Sequence, residues 1–254
     1  MRTLARLVRR AVVAAVPAFV LVLSAAPAGA ATITWGSPTN IAGDADVSTT
    51  GTLVGAFNLS GPAAVVNGVN FQEFLITGGS TTVGNFTVAS GFIFDSSNAP
   101  AAAPFNTLSA GYQSMLGTRT VWFGGMTLTM SGLTVGQTYE FQAWVNDPDD
   151  YTQSGGTFQV DVTGGANTVT LDPNPGLALG GLGQLVTGTF VADATTQDVG
   201  FFNGEVGLAN GFQLRQIDAI NPPSGPGAVP LPAAVWAGLA LGAAVVGRRA
   251  VATM

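Results

Sequence analysis

Asp147, Asp149 and Asp150 place three carboxylates within four residues, directly after the candidate strand that ends at Asn146. Oxygen ligands this close suit a hard cation, and calcium takes six to eight of them. The glycine and distal glutamate of an EF-hand are missing, so the alternative is a solvated acidic turn. Asp44 and Asp46 form a smaller pair of the same kind. Tyr151 adjoins the acidic loop and Trp144 stands on the strand that feeds it. Aromatic rings beside carboxylates suit sugars, whose apolar faces pack on rings while their hydroxyls meet polar groups. Trp144 and Tyr151 are therefore candidate ligand-binding residues, with Trp122 and Tyr112 as weaker ones. Trp122 alternates with Val121 and Phe123 and reads as core.

Other chemistry is excluded by residue type. The chain has no histidine and no cysteine. Ser-His-Asp hydrolysis, Cys-His proteolysis and His-ligated zinc are ruled out. A glycosidase would need two carboxylates at a defined separation. Glu73, Glu140 and Glu205 are the only glutamates, and none lies in a recognisable motif. The expectation is a protein that is not an enzyme.

Both ends of the chain read as export signals. Arg2, Arg6, Arg9 and Arg10 precede an apolar run from Ala11 to Ala26. Ala28-Gly29-Ala30 fits the small-x-small rule for cleavage, so residues 1–30 read as a signal peptide with Ala28 and Ala30 at the cut. At the other end, residues 222–227 read as a Pro/Gly linker, a composition expected to lack fixed structure. Residues 228–254 follow, with 20 uncharged positions from Ala228 to Gly247 and then Arg248 and Arg249. As a helix that span rises about 30 Å, the thickness of a bilayer's hydrocarbon core. The arginines predict a cytoplasmic C-terminus.

Val229, Pro230, Leu231, Pro232 and Ala233, the apolar span and Arg248-Arg249 together resemble the PEP-CTERM class of bacterial sorting signals, in its Val-Pro-Leu-Pro-Ala variant. The resemblance implies an exosortase-like membrane enzyme as partner. It also implies transient or lasting anchorage by the C-terminal helix, then a place at the cell surface or in the extracellular matrix. The Pro-Glu-Pro core of the main class is absent, and five residues follow the arginines.

Residues 31–221 are the exported domain. Two basic residues, Arg119 and Arg215, stand against fourteen acidic ones, a formal charge of −12 with no lysine. A surface of that sign repels phosphate backbones and argues against a nucleic-acid partner. Without disulfides the domain must be held by its core.

The elements that would position these residues read as strands throughout. Gly, Thr, Val, Asn and Phe dominate, and turn clusters recur at strand spacing. Ten runs stand out: 52–59, 69–76, 85–89, 120–130, 138–146, 157–162, 168–171, 184–192, 198–203 and 211–220. The expected fold is all-β, a two-sheet β-sandwich of jelly-roll type. Leu133, Gly136 and Tyr139 have the spacing of a tyrosine corner, in which the hydroxyl bonds to backbone just upstream. Alternation then puts Tyr139, Phe141, Ala143 and Val145 on one face, and Glu140, Gln142, Trp144 and Asn146 on a more polar one. The corner and its Trp strand are distantly similar to carbohydrate-binding modules of the galactose-binding type. That similarity implies an extracellular polysaccharide as ligand, an alternative to a purely structural role.

Overall fold

The structure is a computed structural model, and it describes residues 31–152, 159–202 and 206–217. The signal-peptide residues, the linker, the sorting motif and Glu205 lie outside the described residues. Among those described, no helix is long and apolar enough to cross a membrane.

The first sheet is built from β1 (Thr34–Trp35), β2 (Thr39–Asn40), β3 (Thr52–Leu59), β4 (Ala64–Val66), β5 (Val69–Phe74), β9 (Thr138–Val145), β12 (Gln184–Val191) and β15 (Gly211–Ile217). Its order is β1-β12-β9-β15-β3-β5-β4, with β2 also on β12. The second sheet is built from β6 (Ser80–Val83), β7 (Phe86–Ser97), β8 (Thr118–Ser131), β10 (Val160–Gly164), β11 (Asn167–Leu171), β13 (Thr196–Phe202) and β14 (Val206–Ala209). Its order is β11-β10-β13-β8-β7-β6, with β14 also on β8. Each of the ten runs read from sequence overlaps one of these strands. The five remaining strands have two to four residues, too short for an alternation pattern to register.

Side chains from the two inner faces meet in one core. Phe57, Phe141 and Phe212 of the first sheet enter it beside Phe86, Leu128, Val162 and Phe201 of the second. The Phe57 and Phe86 rings lie 4.8 Å apart across the layers. Burial of rings this large dominates the energetics of such a core.

A second core covers the outer side of the first sheet. Between β7 and β8 the chain inserts α1 (Ala110–Leu116), capped by the Ser109 hydroxyl, which accepts from the Tyr112 amide at 3.2 Å. Tyr112, Met115 and Leu116 of this helix pack with Phe71, Trp144 and Leu185. Gly111 permits the approach to β4, since a Cβ there would sit 2.0 Å from the Val65 carbonyl oxygen. β9 is thus buried on both sides. Gln142, Trp144 and Asn146, read from alternation as a polar face, are all buried.

The tyrosine corner is formed. The Thr134 amide donates to the Tyr139 hydroxyl at 2.9 Å, five residues upstream.

Candidate functional site

The acidic loop at the end of β9 is an ion-pair site. Arg119, on β8, donates to Asp147 at 2.8 Å and to Asp149 at 3.2 Å. Tyr151 donates its hydroxyl to the other Asp147 oxygen at 2.5 Å. The Asp149 side chain also accepts from Asn98. Asp150 turns away to solvent and accepts from the Thr152 amide and hydroxyl at 3.0 and 2.6 Å. Burial raises the Asp147 carboxyl above the usual carboxylate range, opposed by the Tyr151 hydrogen bond and the Arg119 charge. The Thr152 hydrogen bonds hold Asp150 below that range.

This arrangement corrects the calcium reading of Asp147, Asp149 and Asp150. Among the described residues, no three acidic side chains converge as a cation cage requires. The guanidinium of Arg119 already supplies the positive charge between Asp147 and Asp149. Asp44 and Asp46 are likewise used internally. Asp44 accepts from the Ser109 hydroxyl at 2.7 Å, and Asp46 from the amides of Ala42 and Gly43 at 2.7 and 3.0 Å.

Trp144 is corrected as well. It is 0% exposed, and no sugar ring can reach it. Its face is sealed by α1, an element too short and too glycine-interrupted to be read from sequence. Tyr112 is buried beside it, and burial pushes its hydroxyl well above the usual tyrosine range. Trp122 is core, as alternation implies. Tyr151 is half-buried and committed to Asp147.

Exposed aromatic surface gathers elsewhere, on the outer side of the second sheet. Phe92, Phe94, Phe123 and Phe202 are 59, 42, 46 and 49% exposed. Phe92 stands opposite Phe123 in the β7–β8 register, with ring centroids 5.4 Å apart. Phe94 lies 6.2 Å from each of them. Contiguous apolar patches on a protein surface mark interaction sites.

A β-bulge separates Phe92, Phe94 and Phe123 from a groove. Between Ser90 and Phe92 the register shifts, so that Gly91 faces Gly124 and Gly125. Gly124 and Gly125 have φ of 80° and 133°, a region that side chains on L-residues avoid. The Ser90 hydroxyl pins the bulge by donating to the Gly125 carbonyl at 2.8 Å. β8 also changes partner here, from β13 to β14.

The groove beside the bulge has a volume of about 720 Å³. Gly200 forms part of its floor. It stands between Thr127 of β8 and Thr163 of β10, and a Cβ at this position would lie 2.4 Å from the Thr163 hydroxyl. Phe202 walls one side, with Asp161 opposite it in register. The outer side of β13 therefore reads Asp198, Gly200, Phe202, while Val199 and Phe201 point into the core. Both carboxylates are oriented by threonines. Thr170 donates to Asp161 and Thr129 to Asp198, each at 2.6 Å. The result is a groove with a stacking surface at one end and hydroxyls and the Asp161 carboxylate along its length; Asp198 lines an adjoining hollow that shares Thr127, Thr163 and Gly200 with it. It can hold a polyhydroxylated ligand by ring packing and hydrogen bonds.

The sequence carried signals for this site that residue types alone did not single out. Phe92-Ile93-Phe94 and Phe201-Phe202 put large apolar residues on both parities of a strand. Gly124-Gly125 inside a long strand signals a bulge.

No family model matches the chain, and no curated protein matches it. Among solved structures it is similar to the plant receptor-like kinase FER, at 11% identity and a TM-score of 0.45 over 66% of this chain and 43% of that one. It is similar to the ANX1 ectodomain from Arabidopsis thaliana, at 14% identity and a TM-score of 0.44 over 65% of this chain and 42% of that one. It is also similar to a carbohydrate-binding module of the β-sandwich superfamily, at 12% identity and a TM-score of 0.23 over 61% of this chain and 70% of that one. The chain thus spans less than half the length of the two plant proteins.

Proposed function

We propose that this chain is an exported surface or extracellular-matrix protein whose β-sandwich binds polysaccharide on the outer side of its second sheet. The observation that supports it is the exposed cluster of Phe92, Phe94 and Phe123 beside a groove lined by Thr127, Thr163, Asp161 and Phe202. Pyranose rings present apolar faces and a rim of hydroxyls, and this surface offers a partner for each. Catalysis is no part of the reading.

The test is glycan binding by the full chain in detergent, compared with Phe92→Ala and Phe123→Ala. Saturable binding that the wild type shows and the variants lose supports the site. Binding unaffected by either substitution overturns it.

Sorting is a separate part of the same proposal. Residues 1–30 direct export, with cleavage after Ala30. Val229 to Ala233, the apolar span and Arg248-Arg249 are handed to an exosortase-like membrane enzyme. Mass spectrometry of the surface-resident protein should lack peptides containing Trp236. Their presence in the mature protein would sink the processing step.

A further inference from the structure

The charge around the groove narrows the ligand class, on the reading that the groove binds polysaccharide. Between residues 31 and 221 there are two basic side chains, and neither serves the surface. Arg119 is buried and ion-paired to Asp147. Arg215 is buried and donates to the carbonyls of Thr49, Thr50 and Gly51 at 3.1, 2.6 and 3.0 Å. No lysine exists to neutralise an anionic sugar. A uronate or sulfate in the groove would face Asp161, with Asp198 in the adjoining hollow, without a counter-charge.

Those two carboxylates are placed rather than scattered. Asp198 and Phe202 lie four residues apart on the same side of β13, about 13 Å along the strand. Asp161 is the register partner of Phe202 on β10. Each carboxylate has one oxygen held by a threonine hydroxyl, which fixes its direction. Gly200 lies between Asp198 and Phe202 on β13, and the Thr163 hydroxyl packs over it, 2.4 Å from where a Cβ would stand. An aromatic wall with a carboxylate beside it also suits an ammonium group, attracted to both the ring face and the charge.

We propose that the groove selects a glycan bearing protonated amino groups, with rings packed on the phenylalanines and ammonium groups met by Asp161 and Asp198.

Two hexamers of one backbone test this: the N-acetylated β-1,4-linked glucosamine hexamer and its fully deacetylated form. Binding to the full chain in detergent is measured in mildly acidic buffer, where the amines are charged. The deacetylated form should bind about tenfold more tightly at low salt, and the gap should shrink as salt rises. Asp161→Asn with Asp198→Asn should erase the gap, the deacetylated form losing more affinity than the N-acetylated one. Both asparagines keep an acceptor for the threonine hydroxyls, so the fold is retained. Asp193→Asn, on the β12–β13 turn away from the groove, should leave the gap intact. A gap reduced equally by Asp193→Asn would show attraction to the whole acidic surface and overturn the inference. Equal binding of both hexamers, lost in Phe123→Ala, would overturn the amino-group selection while leaving the polysaccharide site standing. Binding of neither hexamer, nor of any other glycan, would remove both readings.

Discussion

The indole nitrogen of Trp144 donates to the hydroxyl of Tyr112 at 2.9 Å, inside a core sealed from solvent. Each residue satisfies the polar atom that the other must bury. Two aromatics that read as sugar contacts are thereby assigned to stability. Trp144→Ala should destabilise the fold by about 3–5 kcal/mol, as truncation of a buried aromatic does. Urea unfolding followed by circular dichroism measures this. Glycan binding by the folded fraction should not change.

Asp147→Ala should be nearly as damaging, because it takes away both oxygens, which accept from Arg119 and Tyr151. It removes the carboxylate that compensates the buried Arg119 guanidinium at 2.8 Å. Breaking one side of a buried pair costs about 3–5 kcal/mol, because the other charge is left in place. The double change of Arg119→Met with Asp147→Leu should recover much of the loss. A double-mutant cycle in urea gives the coupling directly.

Calcium should leave the melting temperature unchanged, and so should a chelator. The reason is positional: Arg119 holds the charge position between Asp147 and Asp149. A calcium-dependent rise in Tm by scanning fluorimetry would contradict this arrangement.

Acid titration should separate two aspartates of one loop. Asp147 is raised by burial, and Asp150 is lowered by its Thr152 hydrogen bonds. A raised folded value means that the folded state holds that proton more tightly than the unfolded chain. The Asp147 contribution to stability therefore grows as pH falls through its folded value. Asp150 has the opposite sign. Its contribution is present above the unfolded value and is lost as pH falls through the folded one. Carboxyl-carbon NMR should place the Asp147 midpoint above the ordinary aspartate value and the Asp150 midpoint below it.

Filling the groove should block binding without unfolding the sheet. Gly200→Thr puts a side chain between Thr127 and Thr163, where the Thr163 hydroxyl must rotate away. Threonine suits a strand, so stability should change by less than about 1 kcal/mol. Glycan affinity should fall at least about tenfold by calorimetry, a loss of about 1.4 kcal/mol.

Much of the fold was legible because strand signals are local. Val, Thr and Phe alternate across β9, β12 and β13, and the Leu133-Gly136-Tyr139 spacing announced a corner that the Thr134–Tyr139 hydrogen bond realises. The site was legible only in part. Alternation says that Trp144 and Tyr139 point to opposite faces, and they do. It does not say what lies over each face, because α1 arrives from the β7–β8 connection, far away in sequence.

By itself the sequence determined residue types: no histidine, no cysteine, no lysine between the terminal segments, and β-forming runs split by turns. Those facts set the fold class and removed whole kinds of catalysis, since an absent side chain cannot act. Tertiary structure decided which side chains reach water. It buried Trp144 and both arginines of residues 31–221, neutralised the Asp147 loop, and left four phenylalanines beside a groove. Exposure is a property of what packs against a residue. Those neighbours come from strands and a helix that the chain brings together only on folding.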